Sequence, residues 1–292
     1  MSPAEDQITF TPCAVAFLDI LGFKDFIAKA EDRHSLEFAQ FSRLLDIRSA
    51  PIFPIDQYYP QQHQFPRDIG LRCLAISDSF ILSAPTGQPY SGLVAVSIRA
   101  IQLAHQLLRV GLLLRGGIAV GIVHRTTSDI FGTGYLNAYA TEQVAQTPRI
   151  LLHRTALAEL EASHFGWRIG ELSIVMKEGD DFMLDTLNAH RSYICDDRDL
   201  LAIYSDYRTR ITEKLESLPH GPRREKWEWM ARLFNAKRIH DSQLHGVCPI
   251  NIEEHSPLSF AQASGPTTFE EAFGRFMTPP KHVETHGPKG KR

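Results

Sequence analysis

Asp19 closes a short apolar run, Ala14-Val15-Ala16-Phe17-Leu18, and three residues later Gly22 turns the chain into a helical pattern. A charge at the tip of a buried strand gains nothing from burial, so its use lies elsewhere. Two-metal phosphoryl and nucleotidyl transfer needs a carboxylate fixed at such a point. A second carboxylate, Asp78, falls in a tight turn between two apolar stretches, and a hairpin laid beside the first strand would bring it within one cation of Asp19. Two carboxylates and a backbone carbonyl suit hard ions such as magnesium or manganese, which keep open positions for phosphate oxygens. Side chains alternate across a strand, so Phe17 shares the face of Asp19 while Leu18 turns to the other. The turn Ile20-Leu21-Gly22 adds the free N–H groups of a helix start, which favour a polyphosphate through hydrogen bonds and dipole. An aspartate and a glycine after an apolar strand also make a plain structural cap, and Asp19 alone does not decide between the two.

The elements that must position these residues follow from periodicity. Residues 13–18 read as a buried strand, and the helix after Gly22 carries Phe23, Phe26 and Ile27 at helical spacing. A second helix fits 36–47, with Phe38, Phe41, Leu44 and Leu45 recurring on one side, and the Pro-, Gln- and Tyr-rich stretch 51–66 reads as an irregular surface loop. Strands at 70–76 and 79–83 flank the Ser77-Asp78 turn, and a helix over 92–109 stops at Gly111. The next strand, 112–123, is interrupted by Gly116, Gly117 and Gly121, which implies that another backbone, a side chain or a ligand comes close. A loop over 125–134, a helix over 135–146, a strand at 149–153 and a helix over 155–162 complete an order of the type βα(α)ββαβ(α)βα. That order predicts an α+β fold, a single mixed sheet with helices on one face.

Beyond residue 170 a hairpin is expected at 172–187, then helices over 200–215 and 223–237. Trp227, Trp229, Met230 and Phe234 on the last helix read as a cluster packed against the main domain. The expected organisation is a catalytic domain over 1–170, a hairpin and helical extension over 171–278, and a disordered tail over 279–292.

Composition narrows the classes. With 292 residues and 43% apolar content the chain can bury a sizeable core, and a net charge of −3 gives no broad electrostatic case for nucleic acid. The basic clusters, Arg223-Arg224 and 289–292, are short and local. Cysteines 13, 73, 195 and 248 show no metal-ligand spacing, and Glu5 and Asp6 sit where a signal peptide would be basic. Reduced thiols in a cytoplasmic protein fit this pattern. The longest apolar candidate for a membrane span, 110–123, is broken by Arg115 and four glycines, so no direct membrane insertion is expected.

Four ordered blocks then point further: Phe17-Leu18-Asp19-Ile20-Leu21-Gly22-Phe23, Ile76-Ser77-Asp78-Ser79, Arg115-Gly116-Gly117-Ile118 with Gly121, and Asp129-Ile130-Phe131-Gly132 with Asn137. Together, over about residues 13–153, they resemble the class III nucleotidyl cyclases, whose catalytic domain is a ferredoxin-like α+β fold. The resemblance implies a substrate whose 3′-hydroxyl attacks the α-phosphate with loss of pyrophosphate. It implies two divalent cations, Mn2+ or Mg2+, held by Asp19, Asp78 and the carbonyl of Ile20, with Leu21, Gly22 and Phe23 at the nucleotide. By position Asn137 matches the ribose-orienting asparagine, which as a plain residue is a helix-surface amide, and Asp129 matches a base-reading residue, which as a plain residue caps a turn.

The departures are as informative. The adenine-selecting lysine of the family would stand at Leu74, its transition-state arginine at Thr141, and its usual glycine before the second aspartate at Ser77. Arg115 is the candidate replacement for the missing arginine, ahead of Arg72, Arg125 and Arg149, which read as surface arginines. With Ala138-Tyr139, Pro148-Arg149-Ile150 and the helix Lys226-Trp227-Glu228-Trp229, the pattern is most similar to the pyrimidine cyclases of Pycsar bacterial anti-phage defence. In those an aromatic two residues before the first aspartate lies against the nucleotide, which here is Phe17. The resemblance implies UTP as substrate and cyclic UMP as product, with CTP as the alternative. It further implies a homodimer with shared sites, in which Asn137 and Arg115 face the metal pair of the other subunit, and a downstream cyclic-nucleotide-binding effector, often a membrane protein. A degenerate domain serving as nucleotide sensor or dimerisation module is the competing expectation.

Overall fold

The computed structural model describes residues 8–49, 70–87, 92–162, 174–188, 197–252 and 260–262. The loop expected at 51–66, Cys195, the 170/171 boundary and the tail at 279–292 lie outside them.

The central strand, β1 (Thr11–Leu21), is apolar at nearly every position because both of its faces are covered. It pairs antiparallel with β3 (Ser79–Pro85) on one side and with β4 (Leu113–Arg125) on the other. The hairpin strand β2 (Arg72–Ile76) lies outside β3, which gives the order β2-β3-β1-β4 of a split β-α-β, ferredoxin-like unit. Next to β4, in parallel, runs β6 (Ile150–Leu152), and β8 (Asp181–Leu184) joins it through Leu151 and Met183. Strands β7 (Val175–Glu178) and β9 (Phe260–Gln262) continue the same sheet, so the C-terminal hairpin belongs to the sheet of the N-terminal part. The α+β mixed sheet expected from the element order is therefore what the chain adopts.

Each face of this sheet has its own cover. Ala14, Ala16, Leu18 and Ile20 point to one face, where they are buried with Phe80, Leu82 and residues of α1 (Phe23–Ala30), α2 (Leu36–Ser49), α3 (Gly92–Arg109) and α5 (Arg154–Ala162). Fully burying each such Leu or Phe side chain contributes about 1.5–3 kcal/mol. On the opposite face α4 (Thr133–Val144) packs Ala138 against Cys13, Val15 and Ala119. For the elements up to residue 162, the expectation of helices on one face thus meets one exception in α4. Lower on α4's side, α6 (Asp197–Ser217) and α7 (Pro222–His240) form a second core with Leu21, Leu113, Leu151 and Met183. Trp227, Trp229, Met230 and Phe234 are buried in it, as expected of a packing cluster.

The expected boundaries shift in three places. The first strand runs on to Leu21, because Asp19, Ile20 and Leu21 pair with Arg115, Leu114 and Leu113. In α2 the buried positions are Leu44 and Ile47, while Phe38 and Leu45 face solvent. A three-residue strand, β5 (Ile130–Gly132), pairs with the far end of β4 where a loop was expected. By contrast α3 has its expected limits, and Gly111 caps it in a left-handed conformation with its N–H bonded to the Leu108 carbonyl at 3.0 Å.

Candidate active site

Strand register sets the site. Ile76, Ser79, Asp19 and Arg115 form one row across β2, β3, β1 and β4, and Leu74, Ile81, Phe17 and Gly117 form the next row along the same face. Asp78 precedes Ser79 in the β2–β3 turn, and its backbone carbonyl accepts the Ile20 N–H at 2.9 Å. The hairpin therefore seats Asp78 against the end of β1. The two carboxylates interact: burial raises the Asp19 pKa above the ordinary value, Arg115 opposes the rise, and Asp78 adds to it. Ser77, just before Asp78, holds a left-handed φ of 50°, a conformation that favours glycine.

Arg115 lies directly on Asp19 of its own chain. Its Nε donates to Asp19 Oδ2 at 3.1 Å and lies 2.7 Å from Glu142 Oε1. Glu142 comes from α4 and has a side chain only 1% exposed, whereas Asp19 and Arg115 are 19% and 25% exposed. Asp19, Arg115 and Glu142 thus form a charged chain that runs from the open edge of the site into the protein. Burial raises the pKa of Glu142 as well, with Arg115 opposing and Asp19 adding to the effect. A second cation arrives from α7: Lys226, which has no hydrogen bond or close ion pair among the described residues, is electrostatically coupled to Arg115 and Asp19. Burial and then Arg115 depress its pKa, and Asp19 partly restores it.

The glycines of β4 bring α4 this close. A Cβ on Gly117 would lie 2.4 Å from the Ala138 carbonyl and 2.6 Å from both the Glu142 nitrogen and the Thr141 Cβ. The close approach expected on this strand is that of a helix backbone. Thr141 is pressed onto Gly117 and bonds the Asn137 carbonyl at 2.7 Å, so a long side chain at that position has no room against the sheet.

The remaining expected residues separate into groups. Phe17 meets the rings of Tyr139 and Tyr135 edge-on at 5.1 and 6.0 Å, and Leu74 packs in the same cluster. Asn137, half-buried on α4, lies between those two tyrosines in sequence. At the β1 end, Ile20 is buried in the main core and Leu21 in the second core, both within the strand. The Ile20 N–H is spent on Asp78, which corrects the expected three-residue turn: the turn is Gly22 alone, exposed and left-handed at φ 78°, with Phe23 as the first residue of α1. Asp129 stands apart. It sits in the turn after β4, whose far end, Arg125, is ten residues or roughly 30 Å from Arg115 at strand rise, and there its Oδ2 accepts from Ser128 Oγ at 2.6 Å.

The other arginines have structural partners: Arg72 bonds the Arg125 carbonyl, Arg125 the Gly70 and Ser83 carbonyls, and Arg149 the carboxylates of Glu178 and Asp181. Sequence reasoning missed Glu142 as a site residue and gave Lys226 no role. Their signal was spacing, since Glu142 follows Ala138 by four residues and Lys226 precedes Met230 by four, which puts each on or beside the buried side of its helix.

Among the described residues no three His, Cys, Asp or Glu side chains cluster around a metal position. Asp19 and Asp78 offer oxygen donors alone, a set that fits magnesium or manganese, ions that take one or two carboxylates and leave the other positions to water and phosphate. Among the described residues no helix is long and apolar enough to cross a membrane.

No protein-family model matches this chain, and neither does any curated protein. Solved structures do. The adenylyl cyclase CyaB from P. aeruginosa aligns over 60% of this chain and 94% of its own, at 14% identity and a TM-score of 0.40. The catalytic core of a rhodopsin-guanylyl cyclase with converted specificity, in complex with ATPαS, aligns over 60% and 95% at 14% identity and 0.41. A bacterial light-regulated adenylyl cyclase aligns over 61% and 92% at 11% identity and 0.36.

Proposed function

We propose that this chain is a metal-dependent nucleotidyl cyclase that converts a pyrimidine nucleoside triphosphate, UTP before CTP, to its 3′,5′-cyclic mononucleotide and pyrophosphate. The observation that carries the reading is the meeting of Asp19 and Asp78, joined by the Ile20–Asp78 backbone bond, beside Arg115 on a half-open face of the sheet. Divalent cations held by Asp19, Asp78 and the Ile20 carbonyl would supply Lewis-acid activation of the attacking hydroxyl and neutralise the triphosphate.

The chain's own residues do the rest. Arg115, anchored by Glu142, presents a fixed guanidinium next to the reacting phosphate and acts in its own chain, in place of an arginine that Thr141 cannot supply. Phe17, braced by Tyr135 and Tyr139, offers an apolar wall to the nucleotide, and Asn137 between those tyrosines orients the ribose. Leu74, in the row of Phe17, has no group to hydrogen-bond adenine N1, which disfavours ATP. Exposed Ile122, Phe131, Leu136, Tyr139 and Val144 make an apolar surface along β4, β5 and α4, which supports a homodimer formed on that face and brings Asp129 toward the partner. The cyclic nucleotide would be the alarm signal of an anti-phage system, read by a separate effector.

A competing reading, a nucleotide-sensing module without turnover, draws on Thr141 and on the occupation of Asp19 by Arg115. Calorimetric titration with non-hydrolysable analogues of UTP and ATP in manganese tests the base preference. Tighter binding of the UTP analogue is expected, and equal or tighter binding of the ATP analogue overturns the pyrimidine assignment.

A further inference from the structure

A cavity of about 180 Å³ opens beside Gly22, between the start of α1, the head of β4 and the C-terminal helices α6 and α7. Its wall carries four cations, Lys29, Lys214, Arg223 and Lys226, and two anions, Asp25 and Glu37. Both anions are matched, Asp25 by an ion pair with Arg223 and Glu37 by one with Lys29 at 3.5 Å. Lys214 and Lys226 remain in excess, and neither has a hydrogen bond or close ion pair among the described residues. The stem of Lys214 is held in place against Gly111, where an added Cβ would meet its Cε at 2.7 Å. Lys214 feels Glu37 and Glu213, and Lys226 feels Asp19, only at a distance, so two half-buried ammonium groups with no close ion pair among the described residues line one cavity, an arrangement that an anion joining them would stabilise. Leu21 and Gly22, which follow Ile20 directly, line the cavity, and its Lys226 is electrostatically coupled to Asp19, so the cavity adjoins the end of β1 that carries the Asp19–Asp78 pair.

We infer that Lys214 and Lys226, supplied by the two C-terminal helices, bind the terminal phosphates of the substrate in this cavity, and that the helical extension is thereby part of the active site. This rests on the nucleotidyl-cyclase reading. The α-phosphate then lies toward Asp19 and Asp78, and the β- and γ-phosphates lie over the start of α1 between the two lysines. Pyrophosphate, the leaving group, occupies the same two lysines before release. The burial that lowers the pKa of both lysines is the same desolvation that strengthens their hold on a phosphate.

The test uses the full chain and inorganic tripolyphosphate, titrated calorimetrically in EDTA so that no divalent cation contributes. Wild-type binding is expected, with at least tenfold weaker binding in the Lys214→Ala/Lys226→Ala variant, recovery in Lys214→Arg/Lys226→Arg, and no change in Arg154→Ala on α5. Neither lysine is in a close ion pair among the described residues, so melting temperatures should stay close to wild type and report folding separately. In turnover assays KM for the nucleoside triphosphate should rise at least tenfold in the alanine variant, with a smaller change in kcat. Unchanged tripolyphosphate affinity and unchanged KM in a folded alanine variant overturn this inference and leave the cyclase reading intact. Lysine-dependent binding in a protein that turns over no triphosphate supports the anion site and overturns the cyclase reading instead.

Discussion

The two faces of β1 are built from alternate residues of one strand and do opposite work. Toward α1, α2, α3 and α5 the strand presents Ala14, Ala16, Leu18 and Ile20, closed off from water by four helices. Toward α4 it presents Cys13, Val15, Phe17 and Asp19, and burial decreases along that series until Asp19 reaches the open edge. The first face has apolar contacts and no charge on β1. The second has three carboxylates, with Asp78 acting on both Asp19 and Glu142, Arg115 paired to Asp19 and Glu142, and Lys226 coupled to Asp19 and Arg115 nearby. A face that folds the chain tolerates no polar group without a partner, whereas a face that binds a charged ligand must leave such groups incompletely matched. One strand satisfies both because its period is two.

Substitutions should separate along the same line. The largest effect is expected from Asp19→Asn or Asp78→Asn, each lowering turnover by about a thousandfold, equivalent to about 4 kcal/mol of transition-state stabilisation, with the melting temperature preserved. Turnover within tenfold of wild type in either variant would remove that residue from the metal site. On the other face, Leu82→Ala should do the reverse: destabilise by about 2–5 kcal/mol through the cavity it leaves, with turnover per folded molecule unchanged. Urea denaturation and active-site titration on the same sample distinguish the two behaviours.

His105, on α3 behind the apolar face, gives a pH signature that belongs to folding alone. Burial lowers its pKa to about 4 from 6.5, and its Nδ1 lies 2.6 Å from the Tyr207 hydroxyl on α6. The folded state therefore keeps the ring neutral while the unfolded chain protonates below pH 6.5. This contribution is fully present above pH 6.5 and is lost as pH falls toward 4, by about 3 kcal/mol in all. A His105→Gln variant should show a flatter stability profile over that window, and an identical slope would mean that the ring is protonated in the folded protein.

The smallest effect is expected at Ser77. Replacing it by glycine relieves a left-handed φ of 50° and should raise stability by about 1 kcal/mol without loss of turnover. A destabilised Ser77→Gly protein would show that the Ser77 side chain offsets its backbone strain.

Much of this arrangement was legible in the chain. Asp19 and Asp78 could be paired because strand alternation fixes a face and a two-residue turn fixes a hairpin's position, and both are local rules. The limits of α3 were legible because 18 residues of helical pattern end at a glycine that caps them. Other features depended on long-range packing. Periodicity told that α4 has a buried side but not which face of the sheet receives it, and the glycines of β4 announced a close neighbour without naming a helix. Glu142 and Lys226 escaped notice as site residues because a charge on a helix ordinarily faces water, and only the packing of α4 and α7 on the same sheet turns both toward Arg115. The extra length of β1 was hidden for a related reason: Asp19 and Gly22 resemble a turn locally, and the pairing of Leu21 with Leu113 overrides that preference.

The most direct measurement is turnover of the purified chain with manganese and each of the four common nucleoside triphosphates in turn, following pyrophosphate release and identifying the product by mass. A pyrimidine cyclase built on Asp19 and Asp78 releases pyrophosphate from UTP first and CTP next, and yields the 3′,5′-cyclic mononucleotide. Release from ATP alone, or from none of the four, would contradict it.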